Sequence, residues 1–90
     1  MKSVKVIVAG RVQGVAFRYY TRDIARKFGI RGTVQNLPDG TVKIYAIGIP
    51  EDVDNFINWC YKGSPASKVE SVAVTDCTID QSTNGFRIVR

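Results

Sequence analysis

The sequence predicts an α+β fold in which two helices cover one face of an antiparallel sheet. Apolar residues alternate along several short segments, as in half-buried strands, and recur every three or four residues in two longer segments, as on one face of a helix. The order is strand, helix, strand, strand, helix, strand, with a short extra strand at the C-terminus. Two helices on one face of the sheet would bury both apolar stripes, which is the ferredoxin-like βαββαβ sandwich.

The first strand and the first helix are predicted from a change of period. Valines alternate with other residues at positions 4, 6 and 8, which indicates a strand of about residues 3–10. Residues 10–14 interrupt that pattern. The helix begins at Phe17, and Gly29 can end it in a left-handed conformation. Its apolar face is predicted to consist of Phe17, Tyr20, Ile24 and Phe28.

The second half of the chain contains a hairpin, a helix and two strands. Residues 37–40, with Pro-Asp-Gly at their centre, predict a hairpin turn. Pro50 suits the first turn of a helix, and the two acidic residues after it suit the positive end of the helix dipole. The predicted buried stripe of this helix is Val53, Phe56, Ile57 and Cys60, and the predicted strands are residues 31–36, 41–48, 69–79 and 86–89.

The composition limits the chemistry and the location. The chain of 90 residues is long enough for one domain, residues 1–90. It contains no histidine, which excludes Ser-His-Asp triads, Cys-His pairs and histidine-ligated metals. Two cysteines are too few for a disulfide scaffold or a four-ligand metal site, and a Cys60–Cys77 bridge is not expected. No signal peptide or membrane span is recognisable, so the expected location is the cytoplasm, with no membrane partner.

The positive charge is concentrated in the first half of the chain. Residues 1–45 contain nine basic and two acidic side chains, whereas residues 46–90 contain four and six. This asymmetry indicates that the first half meets an anion. A solvated basic surface is the alternative interpretation.

The segment between the first strand and the first helix is the most informative part of the sequence. Two glycines, Gly10 and Gly14, bracket a short loop whose backbone N–H groups can turn toward one point, where the start of the helix also presents unpaired N–H groups. Arg18 lies in the first helical turn, where a cation is unfavourable unless an anion offsets it. The glycine spacing fits neither a Walker loop nor a dinucleotide-binding fingerprint. A glycine-rich turn beside an exposed arginine remains the simpler alternative.

Two separated motifs make the sequence similar to the acylphosphatases. Residues 8–18, VAGRVQGVAFR, resemble the first signature of that family, and residues 32–42, GTVQNLPDGTV, resemble the second. Residues 63–66, Gly-Ser-Pro-Ala, resemble the segment that the family carries after its second helix. Thr33 departs from the pattern, because the family usually has an aromatic residue there, and we expect this change to affect packing or the edge of the pocket rather than chemistry.

The resemblance implies an enzyme, a small stand-alone acylphosphatase that hydrolyses acyl phosphates to a carboxylate and inorganic phosphate. By position, Arg18 would bind the substrate phosphate and Asn36 would place the attacking water. The backbone N–H groups expected to form the phosphate cradle belong to Gln13, Gly14, Val15, Ala16, Phe17 and Arg18. No metal or other cofactor is expected. Inorganic phosphate would be both the product and a competitive inhibitor. The enzyme is expected to be a monomer.

This chemistry suits a chain without histidine. A carboxylate leaves readily at neutral pH without being protonated, so no strong general acid is required. Phosphoryl transfer mainly requires positioning and charge stabilisation, which an arginine and backbone N–H groups can supply. For Asn36 alone, a local bond from side chain to backbone near the hairpin is the simpler interpretation.

Two other functions remain open. Some RNA-binding modules share this architecture, but they stack bases on aromatic residues of the open sheet face, where this sequence offers Tyr45 and little else. We therefore expect no nucleic-acid partner. Acylphosphatase-like domains also occur in larger maturation proteins that handle carbamoyl phosphate. The chain begins at its first strand and ends just beyond its last, which favours a stand-alone enzyme.

Overall fold

The computed structural model describes every residue from Met1 to Arg90, and it confirms the predicted fold class. Two helices lie on one face of a five-stranded sheet whose strand order is β4-β1-β3-β2-β5. The elements, in chain order, are β1 (Lys2–Arg11), α1 (Phe17–Lys27), β2 (Arg31–Asn36), β3 (Val42–Gly48), α2 (Pro50–Lys62), β4 (Lys68–Asp76) and β5 (Phe86–Val89). No helix is long and apolar enough to cross a membrane.

The short C-terminal strand makes the sheet mixed. The pairs β1–β3, β1–β4 and β2–β3 are antiparallel, whereas β5 runs parallel to β2. Because β4 and β5 lie at opposite edges, the connection between them crosses from one side of the sheet to the other. Arg31 holds this connection, since its Nη1 donates hydrogen bonds to the carbonyl oxygens of Gln81 and Thr83 at 2.6 and 2.9 Å.

The core lies between the sheet and the helices. Alternate residues of the interior strand β1 face the helices and are fully buried, as the sequence predicts. From α2, the expected stripe contributes three fully buried residues, with Ile57 packed beside them. The main buried side chains of this layer are Val4, Val6, Val8, Val34, Val42, Ile44, Ala46, Val53, Phe56 and Cys60. The thiol of Cys60 is enclosed, and neither cysteine forms a disulfide.

The predicted buried face of α1 is wrong by part of a turn. Phe17 is buried as predicted, and Ile24 and Phe28 are partly buried and pack against the core, but Tyr20 is 44% exposed. The positions that face the sheet are instead Thr21 and Ala25. Burial of Thr21 is possible because its hydroxyl donates to the carbonyl oxygen of Phe17 at 2.8 Å. Tyr20 and Ile24 are therefore turned to one flank of the helix.

The fourth strand is also shorter than predicted. It ends at Asp76 rather than Ile79, because the chain then leaves the sheet edge to begin its crossing. The N–H of Cys77 makes one more bond, to the carbonyl oxygen of Ser3 at 3.2 Å.

Candidate active site

A bend at the end of β1 starts the candidate site. The pairing between β1 and β4 shifts register between Ala9 and Gly10, which is a β-bulge. Gly10 has φ +122°, and a Cβ there would collide with the carbonyl oxygen of Lys68. Only glycine fits this position, so the chain can leave the sheet edge here and enter the loop that precedes α1.

The loop enters α1 through two left-handed residues. Gly14 has φ +71°, with open space where a Cβ would stand, and Ala16 has φ +60° as the residue that precedes the helix. The left-handed conformation costs a residue such as Ala16 about 1–2 kcal/mol. No side chain caps the N-terminus of α1, and its first turn contains no acidic residue. The first N–H groups of this helix therefore have no side-chain hydrogen-bond acceptor, and no carboxylate offsets the positive end of the helix dipole.

Arg18 shares a small cleft with this loop. The cleft has a volume of about 130 Å³ and is lined by Val12, Gly14, Ala16, Phe17, Arg18 and Tyr19. Arg18 is half-buried, and its guanidinium forms no ion pair or hydrogen bond within the chain, whereas Arg22, one turn later, pairs with Asp23. The cleft thus combines an unpaired guanidinium with an uncapped helix start, which is an environment that favours an anion.

The side chain of Gln13 joins the loop to the hairpin. Its Nε2 donates to the carbonyl oxygens of Leu37 and Thr41, both at 2.9 Å. These two carbonyls flank the turn between β2 and β3, so one amide fixes the loop against the turn that follows Asn36. Gln13 does not line the cleft itself. Sequence reasoning assigned it only a backbone role and missed this contact.

Ser64 holds the loop from the opposite side. Its hydroxyl donates to the carbonyl oxygen of Val15 at 3.0 Å, and the residue is only 3% exposed. Val15, like Gln13, lies outside the cleft lining. Gly-Ser-Pro after α2 was a visible motif, but its contact with a loop 49 residues earlier has no local signal in the sequence.

Asn36 is the last residue of β2. Because side chains alternate along a strand, Asn36 lies on the same face as buried Val34, which is the face toward the helices, and Thr33 lies on the other face. The Oδ1 of Asn36 is enclosed and has no hydrogen-bond partner. The local bond to the backbone that would explain this asparagine structurally is therefore absent. An unpaired buried oxygen costs about 1–3 kcal/mol, a cost that functional sites often carry. Asn36 does not line the cleft of Arg18, but it belongs to the hairpin that Gln13 fixes against the loop.

Thr33, which replaces the usual aromatic residue of the second motif, lies away from this site. It is on the open face of the sheet, opposite Tyr45 in β3 and Arg87 in β5. The hairpin turn itself is held by Asp39, whose carboxylate accepts bonds from the Thr41 hydroxyl at 2.6 Å and from its N–H at 3.0 Å. These bonds lower the pKa of Asp39.

Neither thiol belongs to the candidate site. Burial raises the pKa of Cys60 to about 12. Burial is also the main reason why the pKa of Cys77 is raised. No group of three or more Cys, Asp or Glu side chains is placed to hold a metal ion.

Comparison of the whole chain with known proteins finds similarity to one family. A family model described as Acylphosphatase matches residues 4–88. An acylphosphatase of Archaeoglobus fulgidus is 45% identical over 80 residues, which cover 89% of this chain and 90% of the relative. The crystal structure of acylphosphatase from Bacillus subtilis superimposes with a TM-score of 0.95 at 39% identity, and both chains are covered completely.

The same fold also occurs inside a longer protein. Full-length HypF, in its phosphate- and nucleotide-bound form, matches with a TM-score of 0.89 at 28% identity. The match covers 99% of this chain but only 12% of the HypF chain.

Proposed function

This chain belongs to the acylphosphatase family, and we propose that it hydrolyses acyl phosphates to a carboxylate and inorganic phosphate. The observation that carries the proposal is the unpaired Arg18 guanidinium beside the uncapped start of α1. A dianionic phosphate would neutralise both features at once, and its size suits a cleft of about 130 Å³.

The phosphate is bound by the loop and by Arg18. Backbone N–H groups of residues 13–18 donate to its non-bridging oxygens, and the guanidinium of Arg18 adds two parallel hydrogen bonds. These donors stabilise the charge that spreads over the equatorial oxygens in the transition state. Gln13 and Ser64 keep the loop in this conformation through their contacts with the hairpin and with Val15.

Asn36 positions the water. Its amide nitrogen forms no hydrogen bond within the chain. Unlike Oδ1, this nitrogen is not enclosed by the protein. This nitrogen can donate to a water oxygen, which leaves a lone pair of that water free to attack phosphorus in line with the leaving group. An amide cannot accept the proton of the water.

The reaction balances without a protein acid or base. The water oxygen forms a new bond to phosphorus, and the bond from phosphorus to the acyl oxygen breaks with its electron pair retained by the carboxylate. The proton of the attacking water passes to a non-bridging oxygen of the phosphate. Inorganic phosphate and a carboxylate are released, and no metal ion takes part in the proposed route.

RNA binding receives less support from the structure. Tyr45 is the one aromatic residue on the open face of the sheet, and the Lys43 ammonium lies over its ring at 5.2 Å. Base stacking on such modules uses several uncovered aromatic residues.

The test is hydrolysis of benzoyl phosphate by the full chain in the presence of a metal chelator. We expect turnover that is unaffected by the chelator and competitively inhibited by inorganic phosphate. Absence of turnover, or inhibition by phosphate that is not competitive, would contradict the proposal. Loss of activity on chelation, with recovery after addition of a divalent ion, would contradict the metal-free route only.

A further inference from the structure

A second and larger cavity lies between α1 and α2. Its volume is about 650 Å³, within the range of sites that bind small molecules. It shares no lining residue with the cleft of Arg18. Because successive helical residues are about 100° apart, Tyr20 and Ile24 lie on the flank of α1 opposite to Arg18. We call this cavity the interhelical groove. Ligand binding in the groove does not depend on the proposed hydrolysis.

The apolar part of the groove comes from large side chains that the core does not enclose. Tyr20 and Ile24 line it from α1, and Phe28 lines it from the residue that follows this helix. Between Phe17 and the end of α1, the buried positions are held by the smaller Thr21 and Ala25. Trp59 lines it from α2, and its ring is held in place by Phe17 at 5.5 Å and by Phe56 at 6.5 Å between ring centroids. The groove therefore presents a fixed aromatic surface that is partly exposed to solvent.

The charges around the groove have one sign. Lys27 and Lys62 are its only charged lining residues, and no carboxylate lines it. Because the strand pairings make α1 and α2 antiparallel, Lys62 lies near Trp59 and the start of α1, whereas Lys27 lies at the opposite end of the groove. Neither lysine forms an ion pair, since the salt bridges of the chain are Lys2–Asp54 and Arg22–Asp23. An aromatic surface beside the unpaired ammonium group of Lys62 is complementary to an anion with an apolar body.

We propose that the interhelical groove binds small amphipathic anions that combine a flat aromatic body with one carboxylate or sulfonate group. The aromatic body lies against Trp59 and Tyr20, and the anionic group lies beside Lys62, which follows Trp59 by about one helical turn at the same end of the groove. The concave shape and the volume of the groove suit a small molecule, whereas a protein partner would require a wider surface.

The chain contains a single tryptophan, so the indole N–H of Trp59 gives one isolated signal in an NMR spectrum of the full protein. The probes are naphthalene-2-carboxylate and its uncharged counterpart naphthalene-2-carboxamide, titrated with inorganic phosphate present in excess to occupy the cleft of Arg18. We expect saturable shifts of the Trp59 indole and of the Tyr20 and Ile24 amides. The carboxylate should bind about three- to tenfold more tightly than the amide.

The charge requirement is tested with paired variants. Lys27→Gln combined with Lys62→Gln changes two exposed residues and should reduce the affinity for the carboxylate to that for the amide. Lys43→Gln, on the open face of the sheet, is the matched control and should keep the preference. Equal affinity of the wild type for both probes, persistence of the preference in the double variant, or shifts confined to the open sheet face would overturn the proposal.

The same titration separates this site from the catalytic proposal. In Arg18→Ala, binding of the carboxylate in the groove should be unchanged, whatever happens to hydrolysis. An effect of Arg18→Ala on the Trp59 shifts as large as that of the lysine variants would mean that the probe binds at the cleft, and would overturn the assignment to the groove.

Discussion

The two helices begin in opposite ways, although they lie on the same face of the same sheet. α2 starts with Pro50, followed by Glu51 and Asp52 in its first turn, which complements the positive end of its dipole. α1 starts after a left-handed Ala16, has no side-chain cap and no acid in its first turn, and carries Arg18 there instead. Its last turn is ordinary, since Arg26 and Lys27 complement the negative end.

The difference separates a helix start that is favourable on its own from one that we propose to hold an anion. Charges at a helix terminus are each worth about 0.3–1 kcal/mol, so the start of α2 is favourable without a ligand and the start of α1 is not. The unpaired Oδ1 of Asn36 and the left-handed Ala16 add to the cost on the α1 side. Ala16 and Arg18 line one cleft, and Asn36 lies on the hairpin that Gln13 fixes against the same loop.

The largest effect on this comparison is expected from Arg18→Ala. Loss of one charge-assisted contact of about 1.5–3 kcal/mol lowers kcat/KM by about 10- to 150-fold and weakens phosphate inhibition. The free energy of unfolding should instead rise by a few tenths of a kcal/mol, because a cation leaves the positive end of α1. Enzyme kinetics and urea denaturation measure the two effects.

Arg22→Ala is the matched control, since it removes an arginine from the next turn of the same helix. It should leave kcat/KM within about twofold, as expected for an exposed ion pair with Asp23. An unchanged kcat/KM in Arg18→Ala would remove this arginine from the site.

A somewhat smaller effect is expected from Asn36→Ala. Without the amide the water is less well placed, so kcat should fall about ten- to a hundredfold while the inhibition constant of phosphate stays the same. The free energy of unfolding should fall by less than about 1 kcal/mol, because the substitution also removes an unpaired buried oxygen. Gln35→Ala, the neighbour on the other face of the sheet, should leave kcat unchanged. A collapse of phosphate binding would make Asn36 part of the cradle instead.

The reverse pattern is expected at the start of α2. Glu51→Gln combined with Asp52→Asn removes both acids that complement the dipole, and should lower the free energy of unfolding by about 0.5–2 kcal/mol at low ionic strength. Activity on an acyl phosphate should not change. Equal stability of the variant and the wild type in thermal unfolding would show that the contrast between the two helix starts has no energetic content.

The smallest effect is expected at the hairpin turn. Bonds from Thr41 lower the pKa of Asp39 in the folded state, so the carboxylate contributes stability above its unfolded pKa, and that contribution is lost as the pH falls through the folded value. The free energy of unfolding of the wild type should therefore decrease more steeply below about pH 4 than that of Asp39→Asn. Parallel pH profiles from urea denaturation would contradict this linkage.

The sequence was sufficient for the fold because each element carries its own local signal. The structure confirms three boundaries that the sequence marks. They are the change of hydrophobic period at Phe17, the Pro-Asp-Gly turn and Pro50. The orientation of α1 was predicted wrongly, because the buried threonine satisfies its hydroxyl within the helix and its burial leaves no trace in hydrophobicity. The parallel pairing of β5 depends on how the chain crosses the sheet, which no local pattern reports.

The two motifs were enough to predict the candidate residues of the site, but not the contacts that hold those residues in place. The loop and Arg18 were found through their glycines, and the structure places Gly14, Ala16, Phe17 and Arg18 around one cleft. The anchoring contacts of Gln13 and Ser64 span 24 to 49 residues and became visible only in the folded chain. The unpaired oxygen of Asn36 likewise depends on its surroundings in three dimensions.

The interior position of β1, between β3 and β4, has a consequence for how the chain acquires its structure. This strand is the first to be synthesised, yet its partners β3 and β4 begin at residues 42 and 68. The apolar face of β1 must therefore wait, without sheet partners, while roughly half of the chain is made. A topology dominated by such distant pairings folds slowly for its size, and the waiting valines are exposed to association with other chains. The three lysine and arginine side chains spaced along β1, at Lys2, Lys5 and Arg11, keep that nascent segment charged during this interval.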